Sequence, residues 1–233
     1  MSKVAIVTGA SQGIGAATVA AYRKLGWSVV ANSRSITPSD DPGVLAVAGD
    51  IADPAVGRRI VEAGLEQFGR IDTLINNAGV FIAKPFAEYT LDDFDAITSI
   101  NLRGFVTVTQ PAVAAMLKTG GGHVVTITTS LAEHANSSLI SSLASLTKGG
   151  LNSATKALAI EFAQQNVRFN AVAPGVIRTP MHSPETYDYM AATHPVNRMG
   201  EVSDITDAIV FLQNAPFVTG EILHVDGGQT AGH

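Results

Sequence analysis

A glycine-rich segment near the start of the chain has the residue types and the spacing to bind a phosphate group. Gly9, Gly13 and Gly15 follow the apolar run Val4–Thr8 and precede a segment with helical periodicity. Glycine permits a tight turn and close approach of the backbone to a ligand. The free N–H groups and the positive end of a helix attract anions. We therefore predict that this turn binds the pyrophosphate of a dinucleotide.

Elements of two kinds must position this turn. Short apolar runs alternate with longer periodic segments along the chain, which is typical of βαβ units. The pattern predicts a single-domain, doubly wound α/β (Rossmann) fold, with about seven mostly parallel strands and helices on both faces. The predicted strands are Val4–Thr8, Ser28–Asn32, Leu45–Ala48, Thr73–Asn76, Val124–Thr128, Arg168–Ala173 and Ile222–Val225.

Capping residues mark the ends of the predicted helices. A long helical segment reaches Lys118, and Pro111 within it predicts a kink or a join. The predicted N-caps are Asp53, which precedes Pro54, together with Thr90 and Ser203. Helix ends are predicted at Gly26 and Gly69.

Length and composition favour one globular domain over residues 1–233. Hydrophobic residues make up 46% of the chain and charged residues 15%, which suits a large buried core. The longest irregular stretch predicts a substrate-lid loop over 176–200 within the domain. Met181, Tyr187, Tyr189 and Met190 suit a lid, or equally packing against a neighbouring subunit.

Charge and cysteine content argue against several classes of protein. The net charge of -5 does not favour nucleic-acid binding, which needs clustered Lys and Arg. The chain has no cysteine, so disulfides and thiolate chemistry are excluded. We expect no signal peptide, no membrane span and no metal site, and a cytoplasmic location.

Several further motifs occur in a fixed order, and together they resemble the short-chain dehydrogenase/reductase superfamily, in its 3-oxoacyl-ACP-reductase-like branch. Gly9, Gly13 and Gly15 match its T-G-x-x-x-G-x-G pattern. The other matching segments are Asp50-Ile51, Asn76–Gly79, Ile100–Gly104, Asn170–Gly175 and Val225–Gly228. The resemblance implies a dinucleotide held by Gly9, Ser11, Gln12, Gly13, Ile14, Gly15, Ser33, Arg34, Asp50, Ile51, Asn77, Ala78, Gly79, Lys148, Pro174, Gly175, Ile177 and Thr179.

The end of the second predicted strand indicates which dinucleotide is bound. An acidic residue there bonds the ribose 2′-hydroxyl of NAD, whereas a nearby Arg accommodates the 2′-phosphate of NADP. Ser33 stands where the family's NAD enzymes carry Asp, and Arg34 follows it. Gln12 argues the other way, because many NADP members have a basic residue at that place. We favour NADP(H) over NAD(H), the alternative for Arg34 being a solvated surface charge.

The resemblance implies a catalytic centre of Ser, Tyr and Lys, supported by Asn. Lys148 matches the family Lys, and Asn101 matches the Asn. The residue four positions before Lys148 is Ala144, where the family has the Tyr that supplies the proton. None of the four tyrosines, Tyr22, Tyr89, Tyr187 and Tyr189, is followed by Lys four positions later. The expected phenol is missing from its usual place.

The family Ser is also displaced in the alignment. Alignment on the fifth strand puts Thr129 in its position, so Ser130 or Thr129 must serve if either does. Three functions remain open. The protein is an oxidoreductase for a small carbonyl or alcohol, with His134, a loop Tyr or water relayed through Lys148 as proton donor. Alternatively, it binds NADP(H) without turnover, as a sensor or assembly protein, or it is a lyase or isomerase.

The resemblance also bears on partners. It implies a small-molecule substrate and a homo-oligomer, either a tetramer or a dimer. Neither nucleic acid nor a membrane is an expected partner.

Overall fold

Seven strands form one parallel sheet in the computed structural model, which describes residues 2–232. The spatial order is β3-β2-β1-β4-β5-β6-β7, and every neighbouring pair is parallel. The strands are β1 (Val4–Thr8), β2 (Ser28–Ser33), β3 (Val44–Ala48), β4 (Thr73–Asn76), β5 (Gly122–Ile127), β6 (Val167–Pro174) and β7 (Ile222–Val225). The predicted fold class is confirmed, and strand ends differ from the prediction by at most two residues.

Helices cover both faces of the sheet, which is why its strands are apolar runs rather than alternating ones. They are α1 (Gly13–Lys24), α2 (Pro54–Phe68), α3 (Leu91–Thr98), α4 (Gly104–Lys118), α5 (Ser142–Glu161), α6 (Tyr187–Ala192) and α7 (Val202–Asn214). One core cluster joins the sheet to α2, α4 and α5. The other joins the opposite face to α1 and α7. No helix within residues 2–232 is both long enough and apolar enough to span a membrane.

The helix caps follow the sequence at most of the predicted places. Asp53 accepts a hydrogen bond from the Ala55 N–H, and Gly69 ends α2 with a φ of 79°. Thr90 forms a capping box with Asp93. The prediction for Ser203 is wrong. Glu201 is the N-cap of α7 instead, and its backbone N–H bonds the carboxylate of Asp204, the residue that completes the capping box.

The long helical segment from Thr90 to Lys118 is interrupted at a different place from the predicted one. A π-helical turn over Ser99–Arg103 separates α3 from α4, whereas α4 continues through Pro111. Proline removes the N–H that would bond the carbonyl of Thr107. Gly57 of α2 packs against that carbonyl so closely that a Cβ would overlap it. The join predicted at Pro111 therefore lies at the π-helical turn around Asn101.

The strand order reverses at β1 and β4. Open α/β sheets bind ligands at the carboxyl ends of the strands beside such a switch point. The loops after β1, β4, β5 and β6 all end there, so the predicted site residues converge on this edge of the sheet.

Candidate functional site

A groove lies over the carboxyl ends of β1, β2 and β4. We call it the dinucleotide groove, and its volume is about 430 Å³. The predicted cofactor residues in its wall are Gly9, Ser11, Gln12, Gly13, Ile14, Ser33, Arg34, Asp50, Ile51, Asn77, Ala78, Gly79 and Thr179. Most of the residues that the sequence assigned to the cofactor therefore line one continuous surface.

The glycine-rich turn leaves the start of α1 open to a ligand. Gly9 and Gly13 have φ values of 64° and 54°, which favour glycine. Gln12 is the N-cap but makes no side-chain capping bond, and the first turn of α1, like the rest of that helix, holds no acidic residue. Gly15 lies outside the groove wall, and a Cβ there would overlap the Gly9 carbonyl. The turn therefore offers free N–H groups to an anion, and Gly15 permits the close packing beneath it.

Asn77 holds the turn after β4 against the end of β1. Its backbone N–H and that of Ala78 donate to Thr8 Oγ1 at 3.1 and 3.0 Å. Its side-chain Nδ2 donates to the Thr8 and Gly9 carbonyls at 2.9 and 3.2 Å. These bonds fix two walls of the groove to each other without using a ligand.

The far end of the groove holds a polar atom that lacks a partner. Ser33 Oγ is buried and makes no hydrogen bond with any residue in the described range 2–232. Arg34, the next residue, is exposed. Across the groove, Asp50 Oδ1 accepts from the Ala52 N–H at 2.9 Å and so shapes the turn after β3. A buried hydroxyl without a partner is costly, which suits a site that a ligand completes.

A second cavity, the substrate cavity, continues from the groove over the ends of β5 and β6. Its volume is about 220 Å³. The predicted residues Thr129, Ser130, Lys148, Pro174, Gly175, Ile177 and Thr179 line it. The two spaces share the wall residues Ile14, Asn77, Gly79, Val80, Thr179 and Met181. A ligand in the groove can therefore reach into this cavity.

Lys148 on α5 lines the substrate cavity, and its Nζ lies beside Gly79, which lines both spaces. Its Nζ donates to the Ile127 carbonyl at 2.6 Å. Burial of the ammonium lowers the pKa of Lys148 to about 8. Ala144 lies one helical turn earlier, is buried, and lines the same cavity. The α5 helix thus presents an amine and, beside it, a methyl group.

Asn101 is buried in the π-helical turn and clamps the segment after β4. Its Oδ1 accepts from the Val80 N–H at 3.0 Å, and its Nδ2 donates to the Val80 carbonyl at 3.1 Å. Nδ2 also lies 3.1 Å from Thr147 Oγ1 on α5. The side chain lines neither cavity, so it positions the wall that carries Gly79 and Val80. Such π-turns are frequent at functional sites.

Comparison with known proteins decides the family. The family model described as enoyl-(acyl carrier protein) reductase matches residues 9–230. A 3-oxoacyl-[acyl-carrier-protein] reductase of Thermotoga maritima is 34% identical over 97% of this chain and 97% of its own. The chain belongs to the short-chain dehydrogenase/reductase superfamily, which is a family of oxidoreductases.

Solved structures of short-chain dehydrogenases/reductases superimpose over nearly the whole chain. ElxO with NADP bound is 28% identical, with a TM-score of 0.93 and 100% coverage of both chains. A 3-ketoacyl-(acyl-carrier-protein) reductase from Brucella melitensis complexed with NADH is 30% identical, with a TM-score of 0.88 and 98% coverage of both.

One residue that sequence reasoning missed connects the candidate Ser of this dehydrogenase/reductase to the segment predicted as a lid. Gln229 lines the substrate cavity, and its Oε1 accepts from Ser130 Oγ at 2.9 Å. Its Nε2 donates to the Thr193 carbonyl at 3.1 Å. The neighbouring His194 accepts the Val176 N–H on Nε2 at 2.9 Å. The only sequence signal for Gln229 is its place directly after Asp226-Gly227-Gly228.

The structure places Tyr187, Tyr189 and His134, three of the proton donors proposed from the sequence, outside the wall of the substrate cavity. The Tyr189 hydroxyl donates to the Ser138 carbonyl, the Tyr187 ring packs under Arg178, and neither residue lines the substrate cavity. His134 is also absent from the cavity wall. His182, which the sequence reasoning did not single out, lines the cavity. It lies in the predicted lid segment, so its position in the sequence was the available signal.

Proposed function

We propose that this protein is an NADP(H)-dependent oxidoreductase that interconverts a small carbonyl compound and its alcohol. The observation that carries the proposal is the junction of the dinucleotide groove with the substrate cavity at Lys148. A dinucleotide whose pyrophosphate lies at the start of α1 can extend along the shared wall to this junction. When bound, the cofactor supplies or accepts the hydride.

The protein's own residues hold that cofactor and orient the substrate. The free N–H groups at Gly13 take the pyrophosphate, and Asp50 and Ile51 flank the adenine end. Lys148 takes the ribose beside the nicotinamide. The segment Pro174–Thr179 borders the nicotinamide end. Ser130, or Thr129 beside it, donates a hydrogen bond to the substrate oxygen.

NADP(H) is the proposed cofactor because of the polar groups at the end of β2. Ser33 Oγ, which has no partner within residues 2–232, and the exposed guanidinium of Arg34 suit a phosphate dianion. No carboxylate stands at the place of Ser33 to repel it. Of the two similar solved structures, ElxO has NADP bound and the Brucella melitensis reductase is complexed with NADH, so a cofactor titration distinguishes the two.

Cofactor titration tests this preference. We expect NADPH to bind more tightly than NADH, and Arg34→Ala to lose about 1.5–3 kcal/mol of NADPH affinity, the worth of a charge-assisted contact. Ser33→Asp should reverse the preference. Arg58→Ala on α2, also exposed, controls for the general loss of a cation. Equal affinities of the wild type for the two cofactors contradict the proposal.

The substrate cavity favours a carbonyl compound with apolar flanks. Its wall is mainly apolar, with Phe81, Leu131, Leu139 and Met190 among its residues. Apolar walls with a few polar groups fix the orientation of small ligands. We therefore expect apolar ketones or aldehydes to be reduced faster than sugars or carboxylates.

Turnover assays separate this proposal from the two alternatives. NADPH consumption is measured across a panel of apolar, sugar-like and carboxylated carbonyl compounds, with NADH alongside. Faster turnover of the apolar compounds supports the proposal. Tight NADPH binding without turnover favours a sensor or assembly protein. Conversion of a substrate without net change in NADPH favours a lyase or isomerase.

Three broader features belong to the same proposal. Residues 1–233 act as one dinucleotide-binding domain, and 176–200 act as its substrate lid, because Thr179, Met181, His182 and Met190 border the cavity. A homo-oligomer is supported by apolar side chains exposed on α5, of which Ile160 is 80% exposed. A cytoplasmic location remains a prediction.

A further inference from the structure

We propose that His182 supplies the proton to the substrate oxygen during carbonyl reduction, in place of the phenol that the family carries at the position of Ala144. This inference rests on the proposed function and assigns one residue to its proton-transfer step.

The turn that contains His182 lies where the groove and the cavity meet. The His182 N–H donates to the Thr179 carbonyl at 3.1 Å, which closes a turn over Thr179–His182. Thr179 and Met181 line both the groove and the cavity, Pro180 lines the groove alone, and His182 lines the cavity alone. The imidazole is therefore placed on the substrate side of the junction, opposite the groove.

The chemistry of the side chains in the cavity wall also indicates His182 as the proton donor. Among the wall residues in the described part of the chain, the titratable side chains are Lys148 and His182. The other polar side chains there are hydroxyls and amides, which do not release a proton near neutral pH. Lys148 is the residue proposed to hold the ribose, and one of its three donors bonds the Ile127 carbonyl. That leaves the imidazole free to transfer a proton.

Burial, rather than a neighbouring charge, shifts the pKa of His182. Lys148 of α5 is the other titratable side chain in the cavity wall. On the lid itself, Arg178 pairs with Glu201 at 3.4 Å, and Glu185 is exposed. Partial burial lowers the pKa of His182 below the usual 6.5, because the charged form loses hydration. The ring is half-buried, so solvent can restore its proton after each turnover.

In the proposed reduction, one hydride and one proton are added to the carbonyl group. The carbonyl carbon receives hydride with its two electrons, and the C=O π electrons move to oxygen. The oxygen takes a proton from the imidazolium of His182, which leaves an alcohol and a neutral imidazole. A solvent proton then regenerates the imidazolium. In alcohol oxidation, the neutral imidazole takes the hydroxyl proton as the hydride leaves the carbon.

This step predicts opposite pH dependences in the two directions. Reduction needs the protonated ring, so its kcat should rise as the pH falls through the pKa of His182, which lies below 6.5. Oxidation needs the neutral ring, so its kcat should rise with pH over the same range. Titration of Lys148, with a pKa of about 8, occurs at higher pH and is therefore separable.

His182→Gln, which keeps polarity but cannot titrate, is the central variant. We expect it to lower kcat for reduction about 100-fold, within the range of general acid catalysis, and to remove the limb below pH 6.5. His134→Gln is the matched control outside the cavity wall and should keep the wild-type rate and profile. NMR titration of the His182 ring in wild type saturated with NADPH should give the same pKa as the pH limb of kcat/KM for the carbonyl substrate at saturating NADPH.

Ala144→Tyr in the His182→Gln background tests replacement of the donor. A phenol beside Lys148 should restore at least tenfold of the lost rate, with the pH limb moved above 7. A wild type that binds NADPH but reduces no carbonyl overturns the proposed function and this inference together. A wild type that turns over, and does so equally well with the same profile after His182→Gln, overturns the inference alone. Failure of the phenol to restore any rate also counts against it.

Discussion

Buried polar side chains cluster at both ends of the sheet, and the two clusters differ in how completely they are bonded. At the amino ends of β4, β5 and β6, Gln213 Oε1 lies within bonding distance of the Tyr22 hydroxyl, Thr73 Oγ1 and His123 Nδ1, at 3.1, 2.8 and 3.2 Å. His123 Nε2 lies 3.0 Å from Asn170 Nδ2. This amino-end cluster is satisfied within the protein, so its members stabilise the fold.

The polar groups at the carboxyl ends of the strands, here called the carboxyl-end cluster, are Ser33 and Lys148, and their hydrogen bonding is incomplete. Ser33 Oγ has no partner among residues 2–232, and Lys148 Nζ has one hydrogen bond, to a carbonyl, for its three donors. Both groups line the spaces proposed to hold ligands. Buried groups normally have partners, so the missing bonds of these two groups suit the ligand that we propose there. Asn152 Oδ1 and His224 Nε2 also lack a hydrogen bond within residues 2–232, but they line neither space. Incomplete bonding together with a place on a cavity wall therefore distinguishes the carboxyl-end groups from the amino-end cluster.

The largest expected effect concerns Lys148. Lys148→Met keeps the length of the side chain but removes its charge and its donors. We expect kcat/KM for carbonyl reduction to fall about 1,000-fold, which corresponds to about 4 kcal/mol. The free energy of unfolding without cofactor should not fall, because a partly bonded buried ammonium is replaced by an apolar chain. Steady-state kinetics and urea unfolding measure both, and a stability loss with intact turnover would reverse the assignment.

The next effect concerns the amino-end cluster and affects stability instead. Gln213→Leu leaves the Tyr22 and Thr73 hydroxyls and His123 Nδ1 without their shared acceptor. We expect the free energy of unfolding to fall by about 3 kcal/mol, with the NADPH dissociation constant of the folded protein unchanged. Gln67→Leu, at an exposed position of α2, is the matched control and should change stability by less than about 0.5 kcal/mol.

The same cluster predicts how stability depends on pH. Burial lowers the pKa of His123 to about 3, whereas an unfolded His titrates near 6.5. Between these values the unfolded state binds more protons, so stability is fully present above pH 6.5 and is lost as the pH falls towards 3. The slope should reach about 1.4 kcal/mol per pH unit. Urea unfolding between pH 5 and 8 measures it, and His123→Gln should flatten the curve. Identical slopes would show that His123 does not titrate in this way.

The local sequence indicates only some of the residues that line the groove and the cavity. The glycines, Asn77 and Lys148 belong to short motifs within single βα units, so their neighbours along the chain already indicate their roles. His182 and Gln229 reach the substrate cavity from segments that are distant from Lys148 in the sequence. Their positions depend on how the segment 176–200 and the C-terminal turn fold over the sheet, which no local pattern encodes.

The same distinction explains the errors in the predicted elements. Strands and most caps follow from hydrophobic runs and from single residues such as Asp53, so they were predicted correctly. The π-helical turn at Asn101 follows from the packing of that side chain against Val80 and Thr147 rather than from propensity. Glu201 replaced the predicted cap Ser203 because its bond with Asp204 completes a box that starts two residues earlier.

The smallest expected effect tests the comparison most directly, because it removes one hydroxyl that has no partner. Ser33→Ala deletes the Oγ at the end of β2. Without cofactor, the free energy of unfolding should stay within about 0.5 kcal/mol of wild type, or rise, because no hydrogen bond is lost. NADPH affinity should fall about threefold to tenfold, since the 2′-phosphate loses a donor, whereas NADH affinity should hardly change. Thr73→Ala, which removes a bonded hydroxyl of the amino-end cluster, should show the opposite pattern of lower stability and unchanged affinity. If Ser33→Ala instead destabilises the protein as much as Thr73→Ala does, the Ser33 hydroxyl has a partner within the fold, and incomplete bonding no longer identifies the site.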